Sequence, residues 1–176
     1  MMLVQLIARG AGAFWLMTIV AGMLAMGGGP RGTAANLVAT ACYFVATLLV
    51  YLLLKPVNGF LSLLAVLFSI SGCALSVIIS LRLAHIPLNP LVCFGLHCLL
   101  VGYLITQSTF LPKILGVLLA IGGLGWLTFA YPPFANTLLP WIILPGVIGE
   151  GCLSLWLVAF GVKEAGIPEG MPRWFT

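Results

Sequence analysis

Apolar runs of about 20 residues alternate along the chain with short clusters of glycine, proline and asparagine. The runs predict six membrane-crossing helices at approximately 9–27, 34–54, 60–82, 88–108, 113–131 and 138–161. Each is near the length that a helix rising about 1.5 Å per residue needs to cross about 30 Å of hydrocarbon. The breaks fall at Gly27 to Pro30, at Lys55, Pro56 and Asn58, at Pro87, Asn89 and Pro90, at Pro112, and at Pro132 and Pro133. Such short connections make consecutive helices antiparallel neighbours. The expected fold is an all-α polytopic membrane helical bundle, one integral membrane domain over residues 1–176. The run from Ala11 to Met26 behind Arg9 has the basic start of a secretory signal and is read as the first span.

Lipid removes the hydrophobic drive between helices, so small residues mark where helices touch. In the third span Ser62, Ala65, Ser69, Gly72, Ser76 and Ser80 recur every three or four positions and form one face. This face reads as a close-packed seam, with a hydrophilic conduit as the alternative. Gly95, Cys98 and Gly102 form a second seam in the fourth span, and Gly116, Gly122, Gly123 and Gly125 another in the fifth. On the last span Gly146, Glu150 and Ser154 share a face, and Pro145 is expected to free the carbonyl of Trp141 and bend the helix just ahead of Glu150. Gly72, Gly95, Gly102 and Gly146 are thus the expected helix-packing positions.

Composition agrees: 62% of residues are hydrophobic and 6% charged, where soluble domains carry roughly a quarter charged residues. The net charge of +4 does not point to nucleic acid, because the seven basic residues are scattered singly at predicted helix ends. With six spans both termini share a side with Arg9, Lys55, Lys113, Lys163 and Arg173, leaving Arg31 and Arg82 opposite. The positive-inside rule then puts both termini in the cytoplasm of a bacterial inner membrane. The five cysteines lie in apolar runs as packing residues, with no disulfide framework. No metal site is expected, since Cys93, His97 and Cys98 on one helix lack ligand spacing.

Glu150 is the only acidic residue in the first 163 positions, and it sits inside an apolar run. A carboxylate at such a depth costs about 2.5 to 3.5 kcal/mol on insertion scales and needs partners. His97, near the middle of the fourth span, is expected at the same depth and to meet Glu150 directly or through a water. Tyr103 and Ser154 are expected to complete the polar site, with Tyr43, Ser76 and Gln107 in support. Such a pair either pins two helices or serves proton coupling or ligand binding. A haem or chlorin on His97 is the alternative cofactor reading, and otherwise none is expected; His85 lies too far away in depth to be a second axial ligand. No G-x-S-x-G, H-E-x-x-H, paired intramembrane aspartates or phosphate-binding glycine loop occurs, so no catalytic residues and no enzyme activity are expected.

Three stretches carry a family resemblance: YLLLKPVNGFLSLLAVLF from Tyr51 to Phe68, FGLHCLLVGYLITQSTFLPKILGVLLAIGGLGWL from Phe94 to Leu127, and LPGVIGEGCLSLWLVAFGV from Leu144 to Val162. Together they resemble a bacterial multi-pass membrane family described as domain of unknown function 4386. The resemblance covers spans two to six and implies a helical membrane protein without an assigned reaction. It also implies weight for His97 and Glu150, which fall where that family's pattern places the same residue types. The chain departs from the pattern in carrying Ser69, Ser71 and Gly72 in the third span and a clipped loop through His85 and Asn89. The functional expectation is a non-catalytic accessory or structural subunit, whose partners are the bilayer and other membrane proteins. A small transporter or sensor is the alternative, although spans one to three and four to six show no internal similarity.

Overall fold

A computed structural model describes residues 2–163 of the protein; Arg173, expected among the cytoplasmic charges, lies outside them. The helices are α1 (Met2–Ala25), α2 (Gly29–Leu54), α3 (Gly59–Ser80), α4 (Pro90–Gln107), α5 (Lys113–Leu127), α6 (Pro132–Leu138) and α7 (Ile143–Ala159). A 3₁₀ turn, Thr128–Ala130, extends α5, and no strand occurs among the described residues. Local chemistry sets the starts. Asn58 Oδ1 accepts the Leu61 N–H at 3.0 Å and Asn89 Oδ1 accepts the Leu91 N–H at 3.0 Å, each satisfying a donor that the first turn leaves free. The α1–α2 turn uses Gly28 and Gly29 at φ 68° and 65°, the left-handed region open to glycine.

Among the described residues five helices are long and apolar enough to cross a membrane, and a sixth if α6 and α7 count as one broken span. Outward side chains such as Leu6, Val20, Phe60 and Leu67 are exposed, as lipid contact requires. The chain is a multi-pass membrane protein.

The last span corrects the sequence reading. The segment 138–161 is not one helix, because α6 and α7 meet at a 79° bend. Pro140 causes the break: proline disfavours helical geometry in the residue before it, and Leu139 is extended at ψ 143°. Pro145 falls in the first turn of α7, where its missing N–H costs little. The carbonyl of Trp141 is not freed, since it accepts the Leu144 N–H at 3.1 Å.

Each long helix packs against two neighbours, so that α1, α2, α3, α4, α5 and α7 close into a ring in that order. Glycines set the spacing of α4 against α5. A Cβ on Gly95 would stand 2.8 Å from the Gly123 carbonyl oxygen, and one on Gly102 would stand 2.6 Å from that of Gly116. Gly72 takes the ring of Phe94 at similar range, and Gly146 seats the indole of Trp126. All four expected packing glycines therefore occupy interhelical contacts. At the end of the ring holding the start of α1, Gln5 clasps Val162: its Nε2 donates to the Val162 carbonyl at 2.7 Å and its Oε1 accepts the Val162 N–H at 3.2 Å. Lys163 N donates to Phe110 O at 2.9 Å, and buried Phe110, Leu111 and Val162 fill this end.

Candidate functional site

Glu150 projects from α7 into the ring and is 7% exposed. Three other helices supply its partners. Trp15 Nε1 on α1 donates to Oε2 at 3.0 Å, Trp126 Nε1 on α5 donates to Oε1 at 2.8 Å, and Cys98 Sγ on α4 donates to Oε1 at 3.6 Å. Both carboxyl oxygens therefore act as acceptors, and a group that costs free energy to bury becomes the junction of four helices.

His97 does not meet Glu150. Its ring is 1% exposed, and Nδ1 lies 2.9 Å from the Ala65 carbonyl on α3. A carbonyl only accepts, so Nδ1 carries the proton. The reason for the separation is helical pitch: adjacent residues diverge by about 100°, so Cys98 turns toward the acid while His97 turns toward α3. The two groups still share a layer through Trp15, whose ring stands 6.0 Å from the imidazole and 5.7 Å edge-on from Tyr43. His97 and Tyr43 are themselves 5.6 Å apart.

The remaining expected residues divide. Tyr103 is 52% exposed and Gln107 is exposed, so neither joins the site. Six residues of pitch carry Tyr103 well around the helix from His97. Ser154 is buried, but its hydroxyl donates to the Glu150 backbone carbonyl at 2.6 Å and not to the carboxyl. Tyr43 and Ser76 line the same cavity as Glu150, without a hydrogen bond to its carboxyl. Ser76 belongs to a hydroxyl seam between α2 and α3: Asn36 Nδ2 donates to Ser76 at 2.9 Å and to Ser80 at 2.6 Å, and Thr40 donates to Ser76 at 3.2 Å. Thr47 and Ser69 bond at 2.6 Å in the same seam. The serine face is thus a packed interface whose upper part also borders the cavity.

That cavity has a volume of about 350 Å³. Its lining runs from Met26, exposed just past the end of α1, down to Glu150. Aromatic rings of Tyr43, Phe94, Trp126 and Phe129 form much of the wall, and Thr18, Asn36, Thr40 and Ser76 add polar atoms. Such a hollow, mostly apolar with a few convergent polar groups, has the size and make-up of a small-ligand site. On the other side of the His97 layer lies a second cavity of about 10 Å³, the room of one water. His97 Nε2 and Ser62 Oγ, the buried side-chain polar atoms without a protein partner among the described residues, belong to residues that line it.

Sequence reasoning missed Trp15, Trp126 and the Cys98 thiol. A signal for Trp15 existed: membrane tryptophans concentrate at the interfaces, and this one lies mid-helix, where a buried indole N–H needs an acceptor. Trp126→Phe keeps a ring but removes one donor, and is expected to lower unfolding free energy by about 1 to 2 kcal/mol. The same replacement in a Glu150→Ala background is expected to cost less. Equal costs in both backgrounds, measured as a double-mutant cycle by denaturant unfolding, would show that the indole and carboxyl do not interact.

The family described as domain of unknown function (DUF4386) matches residues 85–161, which take in α4 to α7 and both His97 and Glu150. An uncharacterized protein of Archaeoglobus fulgidus is 30% identical over 119 residues, covering 64% of this chain and 73% of that relative. No solved structure matches the chain. A ring of apolar helices around one buried acid, the family match across its second half and the archaeal relative agree: the chain belongs to the DUF4386 membrane protein family.

Proposed function

We propose that this protein is a non-catalytic membrane transporter or sensor that takes a small, largely apolar ligand into the ring. The cavity of about 350 Å³ with Glu150 in its lining carries this reading. One end of the ring is closed by the Gln5 clasp and the plug of Phe110 and Val162, while the cavity reaches the opposite end beside Met26. With the positive-inside orientation, both termini are cytoplasmic and the cavity faces away from the cytoplasm; in a bacterium this is the inner membrane. The polar centre of the site is Glu150 with its two indoles in place of a His–Glu pair.

A non-enzymatic role is supported by how the candidate groups are used. The hydroxyl of Ser154 and Nδ1 of His97 are each spent on a backbone carbonyl, and the Cys98 thiol, which does face the Glu150 carboxyl, is fully buried and outside the cavity lining. His97 Nε2 faces about 10 Å³, far below the size of a porphyrin or chlorin ring, which argues against either cofactor there. An accessory subunit is the second reading. It draws on exposed apolar side chains such as Phe60 and Trp141, which serve lipid equally well.

Gly22 provides the test. It lines the cavity, and a Cβ on it would meet nothing within 4 Å, so Gly22→Leu adds bulk to the hollow from a position with room for it. The neutral probe neopentylbenzene is expected to raise the melting temperature of the wild type in lipid nanodiscs, as any ligand selective for the folded state does. Gly22→Leu is expected to melt like the wild type yet lose most of that shift. An equal shift in both proteins would mean that the probe acts through the lipid and that the cavity is not a ligand site.

A further inference from the structure

We infer that the occupant of the large cavity is a lipophilic organic monocation, an amine-type head on an apolar body, with the head held between the Glu150 carboxyl and the surrounding aromatic rings. This rests on the reading of the cavity as a ligand site and adds the sign of the charge. Among the described residues lining the cavity one is acidic and none is basic. An anionic ligand would meet no counter-charge and would face the acid at short range, in surroundings where water screens little.

The aromatic wall points the same way. Tyr43 and Phe94 lie 4.5 Å apart between centroids on one side, and Trp126 and Phe129 lie 6.2 Å apart on the other. Trp126 is also hydrogen-bonded to Glu150, which places a ring and the carboxyl side by side. Ring faces carry the negative part of the quadrupole and attract cations within about 6 Å, most strongly where water is excluded. An ionised carboxylate offers about four lone-pair positions, and Trp15, Trp126 and Cys98 occupy three, so about one acceptor position is left for an incoming donor. The exposed mouth carries Met23 and Met26, flexible and polarizable side chains suited to an apolar body of variable shape.

Two isosteres isolate the charge. Benzyltrimethylammonium and neopentylbenzene differ in a quaternary nitrogen against a quaternary carbon, and benzenesulfonate supplies the opposite sign. In nanodiscs, with concentrations referred to the lipid phase, the wild type is expected to bind the cation about tenfold more tightly than the hydrocarbon, with benzenesulfonate weakest. Equal affinity for cation and hydrocarbon would overturn this inference and leave the cavity reading intact. Binding of neither would overturn the cavity reading itself. Glu150→Gln is expected to abolish the preference for the cation while the hydrocarbon still binds. Because that variant also disturbs the indole contacts, Phe129→Leu is the second arm: the preference is expected to fall about threefold with the carboxyl in place. A preference unchanged in Phe129→Leu would overturn the assignment of the aromatic wall to the cationic head.

Discussion

Glu150→Ala is expected to be the most damaging single truncation in the ring. It leaves the indole N–H groups of Trp15 and Trp126 buried without their acceptor and removes the partner of the Cys98 thiol. Interhelical hydrogen bonds in lipid average about 0.6 kcal/mol, which sets a lower figure near 2 kcal/mol for three contacts. Stranded buried donors cost about 1 to 3 kcal/mol each, which sets an upper figure near 6 kcal/mol for the two indoles. A value between the two is expected, because Trp15 is 1% exposed and does not line the cavity, so its N–H is stranded, whereas Trp126 borders the cavity. Glu150→Gln keeps the volume and one acceptor oxygen but turns an NH₂ toward the other indole, so an intermediate loss is expected. Denaturant unfolding with tryptophan fluorescence reads both. A Glu150→Ala protein as stable as the wild type would show that the acid is not the structural junction of the bundle.

Gly102→Ala is expected to cost about 1 to 3 kcal/mol, and Gly102→Val more. The added Cβ would sit 2.6 Å from the Gly116 carbonyl oxygen and 3.0 Å from the Ala120 amide, both backbone atoms that yield only if α4 and α5 move apart. Gly116 is under the same constraint in return, with a Cβ 2.5 Å from the Gly102 carbonyl oxygen. Gly151→Ala is the matched control, since a Cβ there meets nothing within 4 Å and helix propensity favours alanine by about 1 kcal/mol. Thermal melts are expected to rank Gly151→Ala at or above the wild type and Gly102→Ala several degrees below. Similar melting of both variants would refute backbone contact as the basis of the α4–α5 interface.

Spans two to five were legible because an apolar run bounded by proline and glycine has one cheap solution in lipid, a helix about as long as the run; the first was read as 9–27, but α1 starts at Met2 and takes in Arg9. The sixth misled because Leu138 to Leu144 stays apolar across Pro140, and hydropathy does not register a missing N–H. Small-residue periodicity was equally readable: Gly72, Gly95, Gly102 and Gly146 all lie where helices touch. The cost of burying Glu150 pointed to a residue that the structure surrounds with partners from three other helices, but depth along a helix axis does not give direction around it. His97 and Cys98 are neighbours in sequence and at nearly one height, yet only Cys98 turns to the acid. Tyr103 and Gln107 are turned outward for the same angular reason, whereas Tyr43 and Ser76 line the cavity.

The bond between Trp15 and Glu150 joins residues 135 positions apart, while Trp126 lies only 24 positions from the acid. A ribosome feeding this chain into the bilayer therefore delivers the first indole long before its acceptor exists. α1 has to wait beside α2 with that acceptor missing, and the barrel of helices shuts only when α7 arrives with its carboxyl. Assembly is thus closed by α7, and a nascent chain halted before it holds five spans with an indole facing the gap.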